Sequence, residues 1–372
     1  MRSAILLAGI SICFTSALVD RVFGQAMAVF NPSESVAPVP TPKPTPAPTK
    51  IGPKLKRWFD LDAANLMTRY RYIGTNSGNG NTSQQQWQAL WRGHFQFDKK
   101  ARYRVNWLVQ SGPTITTGWE NTGLGTGQGQ TNLFVKQLYF DAKPNKTFEF
   151  QVGGIDFNRG ENTEALTYDN DAYLTGERIA IRAPKSLYFD EISATVGLVG
   201  DFTHPSVFRR FRTDLDHWNY HQFLVRKQVT KQVGFSADYT FQDGRDTLHE
   251  AIRIKDPKRL YFDTLLFETY QRLDPQRDAG MNAFAEKIVN KHFTLSGGFA
   301  RVDRRLTLNA DRFPPRNRLY ITGLFKFNPV WSVSVPFTEA IGNLPTAATP
   351  RRRFEIVLTY NLLEDLKRHH IL

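Results

Sequence analysis

Residues 99–112, KKARYRVNWLVQSG, alternate: Ala101, Tyr103, Val105, Trp107 and Val109 fall on one parity, and Arg102, Arg104, Asn106 and Gln110 on the other. Only Leu108 breaks the pattern. Successive side chains of a strand point to opposite faces, so this segment is a strand with one aromatic and aliphatic face and one basic face. Two kinds of β protein can use it. A soluble sandwich buries the apolar face and wets the arginines; a transmembrane barrel turns the apolar face to lipid and the arginines to a watery lumen.

The connections decide between them. The next strand upstream, QQWQALWRGHFQFD, sets Trp87, Ala89, Trp91, Phe95 and Phe97 against Gln88, Arg92, His94 and Gln96. VGFSADYTF and FEIVLTY alternate as cleanly, with Val233, Phe235, Ala237, Tyr239 and Phe241, and Phe354, Ile356, Leu358 and Tyr360, on one face. Short links are expected near Asp98 to Lys100, Pro144 to Lys146, Ala183 to Ser186, Gln228 to Lys231, Asp256 to Lys258, Asn290-Lys291 and Asn328-Pro329. Long ones are expected after the opening strand and near 157–175, 200–217, 242–248, 271–280, 303–317 and 340–350. A sandwich or propeller has no reason to place every long connection at one end, whereas an outer-membrane barrel does. The expected fold is therefore all-β, a transmembrane antiparallel up-and-down barrel of about sixteen strands. Residues 132–142 and 280–289 do not show which face is out, so fourteen or eighteen strands also fit. On this reading Trp91, Tyr103, Val105 and Trp107 face lipid.

The chain is polar on average, with a mean hydropathy of −0.42. Aromatics nevertheless make up 13% of it, the bulk signature of alternating strands with interfacial aromatic belts. Beyond the N-terminus no apolar run approaches the ~20 residues a membrane helix needs. At the N-terminus itself, Arg2 followed by an apolar run from Ala4 to Val19 and the small residues around Gly24 to Ala28 reads as a signal peptide over 1–26. The single cysteine, Cys13, lies inside it, so the mature chain is expected to fold without disulfides. Residues 27–56 follow as a linker whose stretch 35–54, rich in proline and threonine, should be an extended spacer, with cell-wall contact its sharper reading. The barrel is expected over 57–361 and a C-terminal extension over 362–372.

The layout resembles that of Gram-negative outer-membrane porins. FQFDKKARYRVNWLVQ followed by KQLYFDAKPNKTFEFQVGGIDFNRGE is most similar to the alginate-export and related anion-selective porin families, which carry comparable basic hairpins. The similarity covers the layout of residues 57–361 and rests on no specific motif. It implies passive diffusion and lipid and lipopolysaccharide around the barrel, and it leaves open whether three copies associate, as porins of this layout often do. NLLEDLKRHHIL departs from it, because such barrels commonly end on an aromatic residue and this chain continues past Tyr360.

The formal charge is +13, and removing residues 1–26 takes away Arg2, Asp20 and Arg21, leaving +12. Arg92, Arg102, Arg104, Arg178, Arg182, Arg226, Arg253, Lys326 and Arg353 take the inward parity and are the candidate pore-lining residues. Rings of Arg and Lys in a wet pore favour anions. The bland alternative is that they pair with loop carboxylates. The loop over 158–177 stands where porins fold a loop into the barrel, so Glu161, Glu164, Asp169 and Asp171 are candidates for a constriction facing the arginines; an acidic exposed loop is the equal alternative. The loop over 204–221 interleaves Phe208, Phe211, Trp218 and Tyr220 with Arg209, Arg210 and Arg212. It reads as an aromatic and cationic rim, or as a surface for an acidic polysaccharide. The basic residues are spread over many strands, so nucleic acid is not an expected partner. No GxSxG sequence occurs, and the eight histidines show no metal-ligand spacing beyond His217 and His221. No cofactor or metal is expected, and a lipid hydrolase ranks below a pore or a barrel tethered by its proline-rich arm.

Overall fold

The structure, a computed structural model, describes residues 58–369 except 163–172, 183–187, 200–202, 213–217, 257–260, 304–305, 307–312, 314, 343, 345 and 347–348. The expected signal segment and linker lie outside the described residues.

Seventeen strand segments form one antiparallel sheet. They are β1 (Phe59–Thr75), β2 (Thr82–Gln96), β3 (Tyr103–Ser111), β4 (Glu120–Gly125), β5 (Leu133–Ala142), β6 (Phe148–Asp156), β7 (Tyr173–Ile181), β8 (Glu191–Leu198) and β9 (Tyr220–Gln228). There follow β10 (Val233–Gln242), β11 (Arg245–Lys255), β12 (Thr264–Arg272), β13 (Ala279–Asn290), β14 (Phe293–Val302), β15 (Arg316–Lys326), β16 (Trp331–Ile341) and β17 (Pro350–Asn361). The sheet closes because β1 pairs with β2 on one edge and with β17 on the other, leaving no free strand edge.

The wall nevertheless has sixteen positions. β3 pairs with the Leu90–Gln96 half of β2, and β4 with its other half through Gln84, Gln86 and Trp87. The two segments are one stave, interrupted where residues 112–119 leave the wall. The stretch 111–131 was expected as a plain loop, and β4 within it is the difference.

Short turns alternate with longer loops over much of the wall, with corrections: the links after Ile181 and Lys255, expected to be short, reach to Glu191 and Thr264, whereas the link after Arg272, expected to be long, reaches only to Ala279. The link near 242–248 is only Asp243-Gly244, with φ of 48° and 75°. Two successive residues at positive φ make a type I′ hairpin turn, which Asp-Gly favours. Two short helices complete the described chain: α1 (Val207–Arg210) and α2 (Leu362–Arg368). The side chain of Asn361 caps α2 by accepting from the Glu364 N–H.

Candidate functional site

The two faces of the wall are inverted relative to a soluble protein. Along β10, Ser236, Asp238, Thr240 and Gln242 are buried, while Tyr239 is exposed. The same holds elsewhere: Arg69, Gln86, Gln222, Glu268 and Thr338 are buried, whereas Leu66, Phe95, Ile179, Phe223, Phe267 and Ile356 stand in the open. A soluble sandwich would do the reverse. The interior is therefore polar and the outer surface is a belt of large apolar side chains. Trp91, Tyr103, Val105 and Trp107 share the apolar parity; Phe95 pairs in register with Val105, and Gly93 with Trp107. Trp107 stacks on Phe59 at 6.1 Å, and Gly93 leaves it room, since a Cβ there would meet the indole at 2.6 Å.

The chain after β6 runs along the inner wall. Asn158 donates to Ser193 Oγ (2.7 Å), and its carbonyl accepts from Gln222 Nε2 (2.8 Å). Gly160 passes so close to Ser236 that a Cβ would stand 2.6 Å from it, and its φ is +59°, so a glycine is required there. The Glu161 N–H donates to Ser236 Oγ (2.8 Å), and its carboxylate receives Arg226 Nε (2.7 Å) and Arg253 Nε (3.2 Å). Tyr270 OH donates to Asn162 Oδ1. Residues 158–162 thus cross from β8 to β12 inside the barrel. Glu161 was expected to face arginines across a gap; it is instead clasped by two of them. Glu164, Asp169 and Asp171 lie outside the described residues.

Three further segments enter the interior. In 112–119 Ile115 is fully buried, and Lys136 Nζ donates to the carbonyls of Thr114 (2.9 Å) and Thr117 (2.5 Å). Trp119 lies under Arg69, whose guanidinium carbon is 4.0 Å from the ring centre. From α1, Arg210 donates to the carbonyls of Lys136 (2.8 Å) and Tyr173 (3.3 Å), so this arginine of the 204–221 loop is buried rather than part of a rim. Leu306 and Phe313 pack on Tyr270, Ala300, Val302 and Tyr320, an apolar patch on the inner wall.

The expected basic residues divide by partner. Arg182 binds Glu149 and Glu191, and Arg226 and Arg253 bind Glu161. Arg353 joins Arg69 and Arg71 around the single carboxylate of Glu355. Arg102 precedes β3 in the turn and pairs with Asp98 (2.7 Å), so it is not on the strand face with Arg104. Its donated hydrogen bond holds the Asp98 carboxyl below the usual carboxylate range. Arg178 is satisfied by neutral groups: Thr195 Oγ1 (3.1 Å), Gln151 Oε1 (2.9 Å) and the Asp156 carbonyl. Arg104 donates to the Ala101 carbonyl (3.0 Å). Among the described residues, Arg92, Arg104, Arg178 and Lys326 make no ion pair, so their charge is uncompensated at contact distance. Sequence parity found these residues but held no information on which carboxylate would reach them.

No family model matches the chain, and no curated protein matches it. Solved structures do. A triple mutant of the Rhodopseudomonas blastica porin aligns over 82% of this chain and 99% of its own, at 10% identity and a TM-score of 0.50. OmpF of Salmonella typhi in complex with daunomycin aligns over 81% and 97%, at 11% identity and a TM-score of 0.53. The fold is that of the Gram-negative porins. Residues 158–162 leave the wall between its fifth and sixth staves.

Proposed function

We propose that the chain is an outer-membrane porin, exported through a cleaved signal peptide, that lets small hydrophilic solutes diffuse passively with a preference for anions. The inverted wall carries the reading: a closed barrel with an apolar exterior and a polar interior is soluble in lipid and wet within. Lipid and lipopolysaccharide surround it, three copies associate, and the proline-rich arm lies on the periplasmic side with the short turns.

Anion preference rests on the arginines whose charge is not already taken. Arg92 and Arg178 share one carboxylate within electrostatic reach, Asp156, with neither in contact with it through an ion pair, so two charges face one. With Arg104 and Lys326 they supply the positive potential that a passing anion crosses. Mechanism here is a focused positive potential and a size limit, with no bond broken. A barrel that tethers rather than conducts is the second reading, favoured by the apolar docking of Leu306 and Phe313 inside the wall.

The test is the reversal potential of the purified mature protein in a planar bilayer under a KCl gradient. Stepwise conductance of the sign for chloride is expected, with the preference falling in Arg92→Ser/Arg178→Ser and much less in Arg226→Ser. A folded barrel without conductance moves the reading to the tether, and cation preference removes the anion assignment.

A further inference from the structure

Two carboxylates near the start of β1 make no contact ion pair with Lys or Arg among the described residues, in a chain that has 48 Lys and Arg against 35 Asp and Glu. Asp60 makes no ion pair among the described residues, and Asp62 meets only His94, whose Nδ1 is 3.0 Å from its Oδ2. The backbone arranges this. Asp60 is opposite His94 in register, and regular pairing would set Asp62 opposite Arg92. The register shifts between Leu61 and Ala63, so that Ala63 takes the place opposite Arg92 and Asp62 is the extra residue of a bulge. The bulge moves Asp62 off the place directly opposite Arg92, which stays within electrostatic reach, and His94 pairs with its carboxylate.

One donor atom from each of Asp60, Asp62 and His94 lies within 4.8 Å of the others. Ligands on one tetrahedral ion stand about 3–4 Å apart, a closing movement that two exposed carboxylates can make around a buried imidazole. We propose that these three residues form a divalent transition-metal site, of the zinc class, at the short-turn mouth of the barrel. Two carboxylates balance the ion's charge, while the imidazole selects zinc-like ions over magnesium and calcium, which take oxygen donors. Three protein ligands leave a position open to water or to a solute. The spacing of histidines along the sequence gives no hint of it, because the ligands come from two strands.

The site does not depend on the barrel being a pore, and the experiment separates the two. Zinc chloride is titrated into the folded full-length mature barrel in detergent by calorimetry, with magnesium chloride as comparator. One zinc per barrel is expected, with affinity at least about tenfold lower in His94→Asn and in Asp62→Asn, and no heat from magnesium. Both variants should keep the compact mobility of an unboiled barrel on a gel. Absence of zinc binding by the folded wild type overturns the site, as does undiminished binding in either variant, or binding that is lost instead in His369→Asn. In a bilayer, zinc on the short-turn side should reduce conductance in the wild type and not in His94→Asn. A barrel that binds zinc and conducts nothing upholds the site and overturns the pore.

Discussion

Two arcs of the inner wall carry arginines on the same parity and use them differently. On β9 and β11, Arg226 and Arg253 converge on Glu161 and hold an incoming segment against the wall. On β2 and β7, Arg92 and Arg178 meet no carboxylate at contact distance, and Arg178 is held by neutral oxygens. The first arc spends its charge on architecture, and the second leaves it for whatever enters the barrel. The seam between β1 and β17 lies between these extremes, with three arginines around one buried acid.

That seam offers the harshest trial of the contrast. Glu355→Gln removes the carboxylate that Arg69, Arg71 and Arg353 share, and losing one partner of a buried ionic cluster costs about 3–5 kcal/mol. The expected outcome is a large fall in the urea midpoint of folding into vesicles; an unchanged midpoint would mean that the seam does not depend on the shared carboxylate.

The face assignment beneath the comparison is sharpened by Trp107→Arg. A charge on the lipid face near mid-membrane costs about 2–4 kcal/mol, so vesicle insertion should drop while folding in detergent persists. Normal insertion would show that the outer face is not lipid-exposed at that depth.

Glu161→Gln turns the first arc into the second. Charge-assisted hydrogen bonds worth about 1.5–3 kcal/mol are weakened, the segment 158–162 loosens, and two guanidinium groups become available. The chloride to potassium permeability ratio should rise, and a fall would reverse the roles of the two arcs.

The smallest effect is expected at the exposed turn. Asp98→Asn should lower the unfolding midpoint at pH 7 only slightly, since an exposed pair is screened by water. What the wild-type pair contributes is present at neutral pH and is lost as acid titrates Asp98 through its lowered folded value, so an acid scan of the two proteins should converge.

The wall was largely legible because period-2 alternation is imposed wherever apolar and polar media lie on opposite sides. It read cleanly in β2, β10 and β17. β5 was ambiguous because the register slips between Leu108 and Val109, where Gln137 and Val135 are the partners and Lys136 is the odd residue. β13 was ambiguous because Phe284 points to the inside, where it packs against the patch that receives Leu306 and Phe313. An interior that docks its own loops acquires apolar spots, and those erase the alternation locally. The turn at Asp243-Gly244 had its signal in the sequence, but flanking polar residues made it look like part of a longer loop. Ion pairs such as Arg226–Glu161 and Arg71–Glu355 were out of reach because they join residues 65 and 284 positions apart, and the Asp60, Asp62 and His94 cluster because it depends on a bulge.

Because β3 and β4 share one stave, the wall closes the same way whatever chain runs between Ser111 and Glu120. That stretch is an insert with fixed anchor points, held inside by Lys136 and by the burial of Ile115. A designer could retune the bore there without adding or removing a stave.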